Sequence, residues 1–289
     1  MPDRYTYPGT EVLVNKLGIR DPEELSRVEQ GVAEIGLIEL RHRPLQGNFD
    51  LAHLGRIHRY LMGDLYDWAG QLRTVDTQAL GTGVPHCGPD FIPQFARDIF
   101  GAIAADNRLR GMDQETFIRR LAHHWGELTA LHSFRDGNTR SQSAFIDQLA
   151  RQAGYGITWQ ALDLDRLKTA RVRAVASSSE DLRVVLAPAI EPLAATDTET
   201  AELRNLHAAD FPHSPRSGPL LPDRQPRPAG QQERTRTPAS AGQPGATPAR
   251  NDDAPQKDPL PLNPRGACAN AQERSQGQNP FPATGRWGS

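Results

Sequence analysis

Through roughly the first 195 residues, apolar side chains recur at the three- and four-residue spacing of helices buried on one face. Asp21-Pro22-Glu23 reads as a cap, a proline at the first helical position and an acidic first turn, followed by Leu25, Val28, Val32 and Ile35. Asp50 caps a second helix carrying Leu51, Leu54, Ile57 and Leu61, and Asp90 introduces a third with Phe91, Phe95 and Ile99. Glu115 to Leu131 aligns Phe117, Leu121, Trp125 and Leu128. Thr139 to Ala153 aligns Ala144, Phe145, Leu149 and Ala153, with Gly154 as its C-terminal stop. Leu164 to Ala176 and Asp181 to Leu186 give two more short helices. The exception is Leu72 to Cys87. Leu72 to Val75 has strand character and Gly81-Thr82-Gly83 before Pro85 signals a turn, so a β-hairpin is expected there.

The pattern stops near residue 195. From Pro212 to Pro282 there are 15 prolines, and beyond Phe211 the aromatic residues are Phe281 and Trp287. Such a stretch buries too little apolar surface to offset the entropy of ordering it, so the division is a helical domain over 1–195 and a Pro-rich disordered tail over 196–289. The formal net charge of -2 argues for no direct nucleic-acid partner. Cys87 and Cys268 lie in segments of different character, which suits a reducing compartment and no disulfide framework. No signal peptide and no run of eighteen apolar residues is visible, giving a soluble cytoplasmic reading with no membrane contact. Secretion by a machine that needs no signal peptide would leave no trace in such a composition.

Chemistry concentrates in His132 to Arg140, between two predicted helices. An imidazole titrating near 6.5 suits removal of a hydroxyl proton at neutral pH, which makes His132 a candidate base. Asp136 can hold Mg2+, which takes one or two carboxylates together with phosphate oxygens. Gly137, Asn138, Thr139 and Arg140 open the second helix, where unpaired N–H groups and the helix dipole favour an anion, and the Arg140 fork suits phosphate. Base, metal ligand and anion hole together indicate phosphoryl or nucleotidyl transfer.

These residues resemble the active-site motif of Fic proteins, His-x-Phe-x-(Asp/Glu)-Gly-Asn-Gly-Arg-x-x-Arg. His132, Phe134, Asp136, Gly137, Asn138 and Arg140 match it, Thr139 stands at the second glycine and Ser143 at the last arginine. Tyr5 to Thr10, Asn15 to Arg20, Tyr66 to Gly70, Arg73 to Asp76 and Ala153 to Tyr155 follow the order seen in bacterial Fic toxins paired with a small separate antitoxin. The resemblance covers about two thirds of the chain. It implies an all-α Fic fold with a small hairpin flap, and a protein adenylyltransferase moving AMP from ATP, with Mg2+, to a Ser, Thr or Tyr hydroxyl.

By that resemblance His132 is the base, Asp136 the metal ligand, Gly137, Asn138, Thr139 and Arg140 the phosphate binders, and Phe134 a core anchor. The flap residues Arg73, Thr74, Val75 and Asp76 hold the target by strand addition. Implied partners are a target protein, with type II topoisomerase subunits the best-known class, and an inhibitory antitoxin in trans. The inhibitory pattern (Ser/Thr)-x-x-x-Glu-(Gly/Asn) is matched nowhere; Ser26 to Gly31 comes nearest, with Gln30 at the essential place. Thr139 and Ser143 leave two alternatives open: an enzyme of the same fold using another nucleotide or moving phosphate, or a catalytically degenerate binding module. Of the other polar residues, His123 and His124 point about 100° apart on a helix and chelate poorly, and His53 and His58 share no face. Gly81-Thr82-Gly83 reads as a loop tip, and Trp68 and Trp125 as core.

Overall fold

The computed structural model describes residues 3–79 and 82–193. The Pro-rich tail, and Leu80 and Gly81 of the expected flap turn, lie outside the described residues. Seven α-helices follow in order among them: α1 Pro22–His42, α2 Leu51–Met62, α3 Ile92–Ala105, α4 Gln114–Leu131, α5 Asn138–Gln152, α6 Leu164–Ala176 and α7 Glu180–Leu186. Side-chain caps set the starts of α1 and α2 as the sequence suggests, Asp21 accepting from Glu24 N and Asp50 from His53 N, and two more caps appear at α4 and α6, Asp113 accepting from Thr116 N and Asp163 from Arg166 N. Asp90 is different. It lies in a 3-10 turn, Pro89–Phe91, and α3 begins at Ile92 with no side-chain cap.

The central element is α4, which packs against α3, α5, α6 and α7, while α5 also packs against α1 and α2. Phe117, Leu121, Trp125 and Leu128 of α4 are all fully buried, each contributing about 1.5–3 kcal/mol of apolar burial. In α1 the buried face is rotated from the expected one: Leu25 is buried and Val28 and Val32 are half-buried as read, but Ile35 is not. Leu25, Glu29, Ala33, Gly36 and Leu40 face inward, while Ile35 and Ile38 are exposed. Gly36 lets Leu61 of α2 pack against the backbone, since a Cβ there would stand 2.8 Å from Leu61 Cδ2. Glu29 is admitted because Tyr66 donates its hydroxyl to it.

Two features of β structure differ from expectation. A two-stranded antiparallel sheet pairs β1 Tyr155–Ile157 with β2 Ile190–Pro192, Gly156 opposite Glu191. Three-residue strands so far apart leave no periodicity to read. The flap is a short ladder placed later than Leu72 to Val75, with a bridge between Gln78 and Pro85 and bonds from Ala79 N to Val84 O (2.8 Å) and His86 N to Thr77 O (3.0 Å). No helix among the described residues is long and apolar enough to cross a membrane.

Candidate active site

Helix α4 ends on His132, whose φ of 45° and ψ of 62° put a non-glycine residue in the left-handed region, at a cost of about 1–2 kcal/mol. Arg73 holds it there. The buried Arg73 guanidinium donates to His132 O (2.7 Å), Val75 O (2.7 Å) and Cys87 O, while its backbone N–H donates to Ser133 O (3.0 Å). One side chain thus ties the end of α4 to both limbs of the flap. The His132 ring is sandwiched from the flap side by His86, with centroids 3.7 Å apart and planes within 4°, and His86 in turn meets the Thr77 hydroxyl at 3.0 Å.

The loop after His132 is pinned by its own residues and by α2. The Asn138 amide brackets Phe134, accepting from its N–H (2.9 Å) and donating to its carbonyl (2.7 Å), so this side chain fixes the turn instead of reaching out to a ligand. Phe134 is buried and stacks on the fully buried His58 ring at 3.9 Å. Gly70 N donates to His58 Nδ1 (2.8 Å), which leaves Nε2–H to donate to Asp136 O (2.8 Å). Gly137 has φ +73°, and a Cβ there would lie 2.9 Å from Met62 Cγ and 3.1 Å from His58 Nε2. Glycine is therefore required at this position by conformation and by space.

From Asn138 on the backbone is helical, so Thr139 needs no positive φ, which explains how a β-branched residue replaces the motif's second glycine. The N–H groups of Asn138, Thr139 and Arg140 precede the first bond of α5, from Ser141 N to Gly137 O (3.0 Å), and point from the helix start as an anion-binding set. Asp136 accepts from Gly137 N. Arg140 is partly exposed and reaches Glu29 Oε2 at 3.4 Å and Met62 Sδ at 3.6 Å.

Burial holds the His132 imidazole well below its ordinary range, helped by the His86, Arg73 and Arg171 charges and opposed weakly by the Thr129 main chain. His86 is lowered to about 4 by burial and by Arg73 and Arg171. His58 falls to about 4, chiefly by burial. All three rings are neutral at pH 7, the state a proton acceptor at His132 requires. His132, the flap residues Thr77, Gln78 and Ala79, the loop from Asp136 to Arg140, and Lys168 and Arg171 of α6 enclose a cavity of about 440 Å³. A larger, mainly apolar groove of about 860 Å³ adjoins it, running between α1, α5 and α6 past Ser143.

Residues 48–150, which hold α2 through this loop and α5, match the model of the Fic/DOC family. Over 195 residues the chain is 33% identical to a probable protein adenylyltransferase Fic of Salmonella typhimurium, covering 68% of this chain and 96% of the relative. The chain belongs to the Fic/DOC family. It is also 40% identical over 178 residues to the protein adenylyltransferase VbhT of Bartonella schoenbuchensis, a match that takes in 62% of this chain but 37% of VbhT's length. The crystal structure of the BepC effector of Bartonella tribocorum, with bound AMPPNP, superposes with a TM-score of 0.61 at 25% identity, covering 66% of this chain and 97% of that one.

Within this Fic domain, His132, Asp136, Gly137, Asn138, Thr139 and Arg140 all line one cavity, as the motif suggests. The flap residues divide. Thr74 and Asp76 are exposed and Val75 half-buried, but Arg73 is an internal clamp, and the flap residues that line the cavity are Thr77, Gln78 and Ala79. Residues that sequence reasoning passed over are His58, His86, Glu29, Tyr66, Lys168 and Arg171. A polar residue buried by partners far along the chain leaves no local sign, and the lack of a shared face with His53 gives no hint of what His58 holds. His124, read in the sequence only as a poor chelating partner of His123, is buried and bonded to Asp106 at 2.7 Å.

Proposed function

We propose that this Fic domain is a protein adenylyltransferase, using ATP to place AMP on a Ser, Thr or Tyr hydroxyl of a target protein. The observation that carries the reading is a neutral imidazole, His132, in the same cavity as the N–H groups opening α5 and the Arg140 guanidinium. His132 takes the proton of the target hydroxyl. The hydroxyl oxygen bonds to the α-phosphorus as the bond from that phosphorus to the bridging oxygen breaks, and pyrophosphate leaves. The α5 N-terminus and Arg140 hold the departing phosphates. Asp136, which lines the cavity, would hold Mg2+, an ion that takes one carboxylate together with phosphate and water oxygens and would neutralise phosphate charge. Thr77, Gln78 and Ala79 line the cavity, and the flap they belong to is suited to receive a target segment as an added strand.

The relatives' names support this chemistry, VbhT and the Salmonella Fic being called adenylyltransferases. We further infer a toxin type acting in the cytoplasm on bacterial proteins such as type II topoisomerase subunits, restrained by a separate small antitoxin. In support of the last point, the groove beside Ser143 exposes Ile38 and Leu164 and has room for an apolar helix face. Incubation of the domain and a bacterial lysate with ATP labelled at the α- or the γ-phosphate tests the reading. Transfer of the α-label to protein supports it, whereas transfer of the γ-label alone means phosphate transfer, and transfer of neither removes the assignment.

A further inference from the structure

Ser143 leaves the exposed face of α5 one cation short. Thr139, Arg140 and Ser143 stand three and four residues apart along that face, and only Arg140 is charged. The opposite wall is richer. Lys168 and Arg171, one turn apart on α6, line both the cavity under the flap and the adjoining groove, and so do Thr139 and Arg140. These four residues mark the place where the two spaces join.

Arg171 is 6% exposed, and no ion pair to it is formed among the described residues. One of its terminal nitrogens donates to Gln142 Oε1 at 2.7 Å, its guanidinium carbon lies 5.4 Å from the Trp125 ring centre, and its Nε has no hydrogen-bond partner. Arginines of comparable or lesser burial here are answered: Arg120 by Asp106, Arg135 by Asp3, Arg140 by Glu29 and Arg151 by Asp147. Arg73 is satisfied by main-chain carbonyls. A buried guanidinium with an idle donor and no counter-charge is costly unless an anion completes it. Burial lowers Arg171 to about 10, so it remains a cation at neutral pH.

We propose that Lys168 and Arg171 form a second cationic pole of the nucleotide site and bind the terminal phosphate of a nucleoside triphosphate. This rests on the adenylyltransferase reading and adds where selection of triphosphate over diphosphate resides. The α5 N-terminus and Arg140 grip the inner phosphates from one side; α6 grips the outermost from the other, with the Lys168 ammonium free to swing over it from its exposed position.

The test compares ATP and ADP binding, each with Mg2+, by titration calorimetry on the wild type, Lys168→Ala and Arg171→Gln. Removing a charged contact to the terminal phosphate should weaken ATP by about tenfold or more and leave ADP within about threefold. Adding Ser143→Arg to Lys168→Ala should restore the preference for ATP. A purely structural role for Arg171, through Gln142 and Trp125, would weaken both nucleotides together. Lys168 is exposed, so its variant tests the idea even where Arg171→Gln fails to fold. An unchanged ratio of ATP to ADP affinity in Lys168→Ala, with a wild type that binds ATP, overturns the second pole while leaving the adenylyltransferase reading intact. A wild type that binds neither nucleotide removes both.

Discussion

His58 offers the sharpest test of how the active-site loop is held. Replacing it with phenylalanine keeps a ring against Phe134 but removes the bonds to Gly70 N and Asp136 O, both 2.8 Å long. Each orphaned main-chain group costs about 1–3 kcal/mol when buried; both residues here are half-buried, so the lower part of that range applies and the loss at pH 7 is about 2–3 kcal/mol. The pH dependence adds a second signature. His58 titrates at 6.5 unfolded and about 4 folded, so it is neutral in both states above pH 6.5, and stability is lost as pH falls from 6.5 towards about 4. At 1.36 kcal/mol per pH unit that interval is worth about 3 kcal/mol, of which about 2 kcal/mol is lost by pH 5. His58→Phe cannot lose it. Urea unfolding of both proteins at pH 7 and pH 5 should therefore show the gap shrinking from about 2–3 kcal/mol to less than about 1 kcal/mol. Parallel curves, with the same gap at both pH values, would refute the neutral, doubly bonded anchor.

Gly137→Ala forces a left-handed alanine against Met62 and His58 and should cost about 2 kcal/mol or more in urea unfolding while lowering transfer further than the unfolded fraction explains. His86→Phe keeps the stack on His132 but removes a neighbour that opposes its protonation in acid, where both rings take up protons, so the acid limb of the transfer rate against pH should move to higher pH; an unmoved limb would detach His86 from the base. A chain ending after about residue 195 retains β2 and should unfold cooperatively with an unchanged denaturant midpoint, since β2 closes against β1 by Pro192. A lowered midpoint would place part of the fold beyond that point.

The elements most legible in the sequence were those whose ends are set locally. Helix α6 stands at Leu164–Ala176 as read, and Asp21-Pro22 starts α1. The α1 reading places Leu25, Val28 and Val32 against the core but not Ile35, which is exposed, because the inward stripe runs through Glu29, buried through Tyr66 and Arg140, partners 37 and 111 residues away. The site divides along the same line. His132 to Arg140 is contiguous and chemically unusual, so it stands out; its supports do not. His58, His86 and Arg171 reach it from α2, the flap and α6, and nothing near them in sequence marks the meeting point. Asn138 shows the converse, a motif residue whose amide turns inward to hold Phe134.

On the proposed function, His132 acts on the incoming hydroxyl and not on the nucleotide. Transfer of α-labelled AMP to target protein and ATP affinity, both measured in wild type and His132→Ala, separate the two roles. In His132→Ala, transfer should fall to background with ATP affinity within about threefold of wild type, about 0.65 kcal/mol. Retained transfer, or loss of ATP binding in step with loss of transfer, would contradict it.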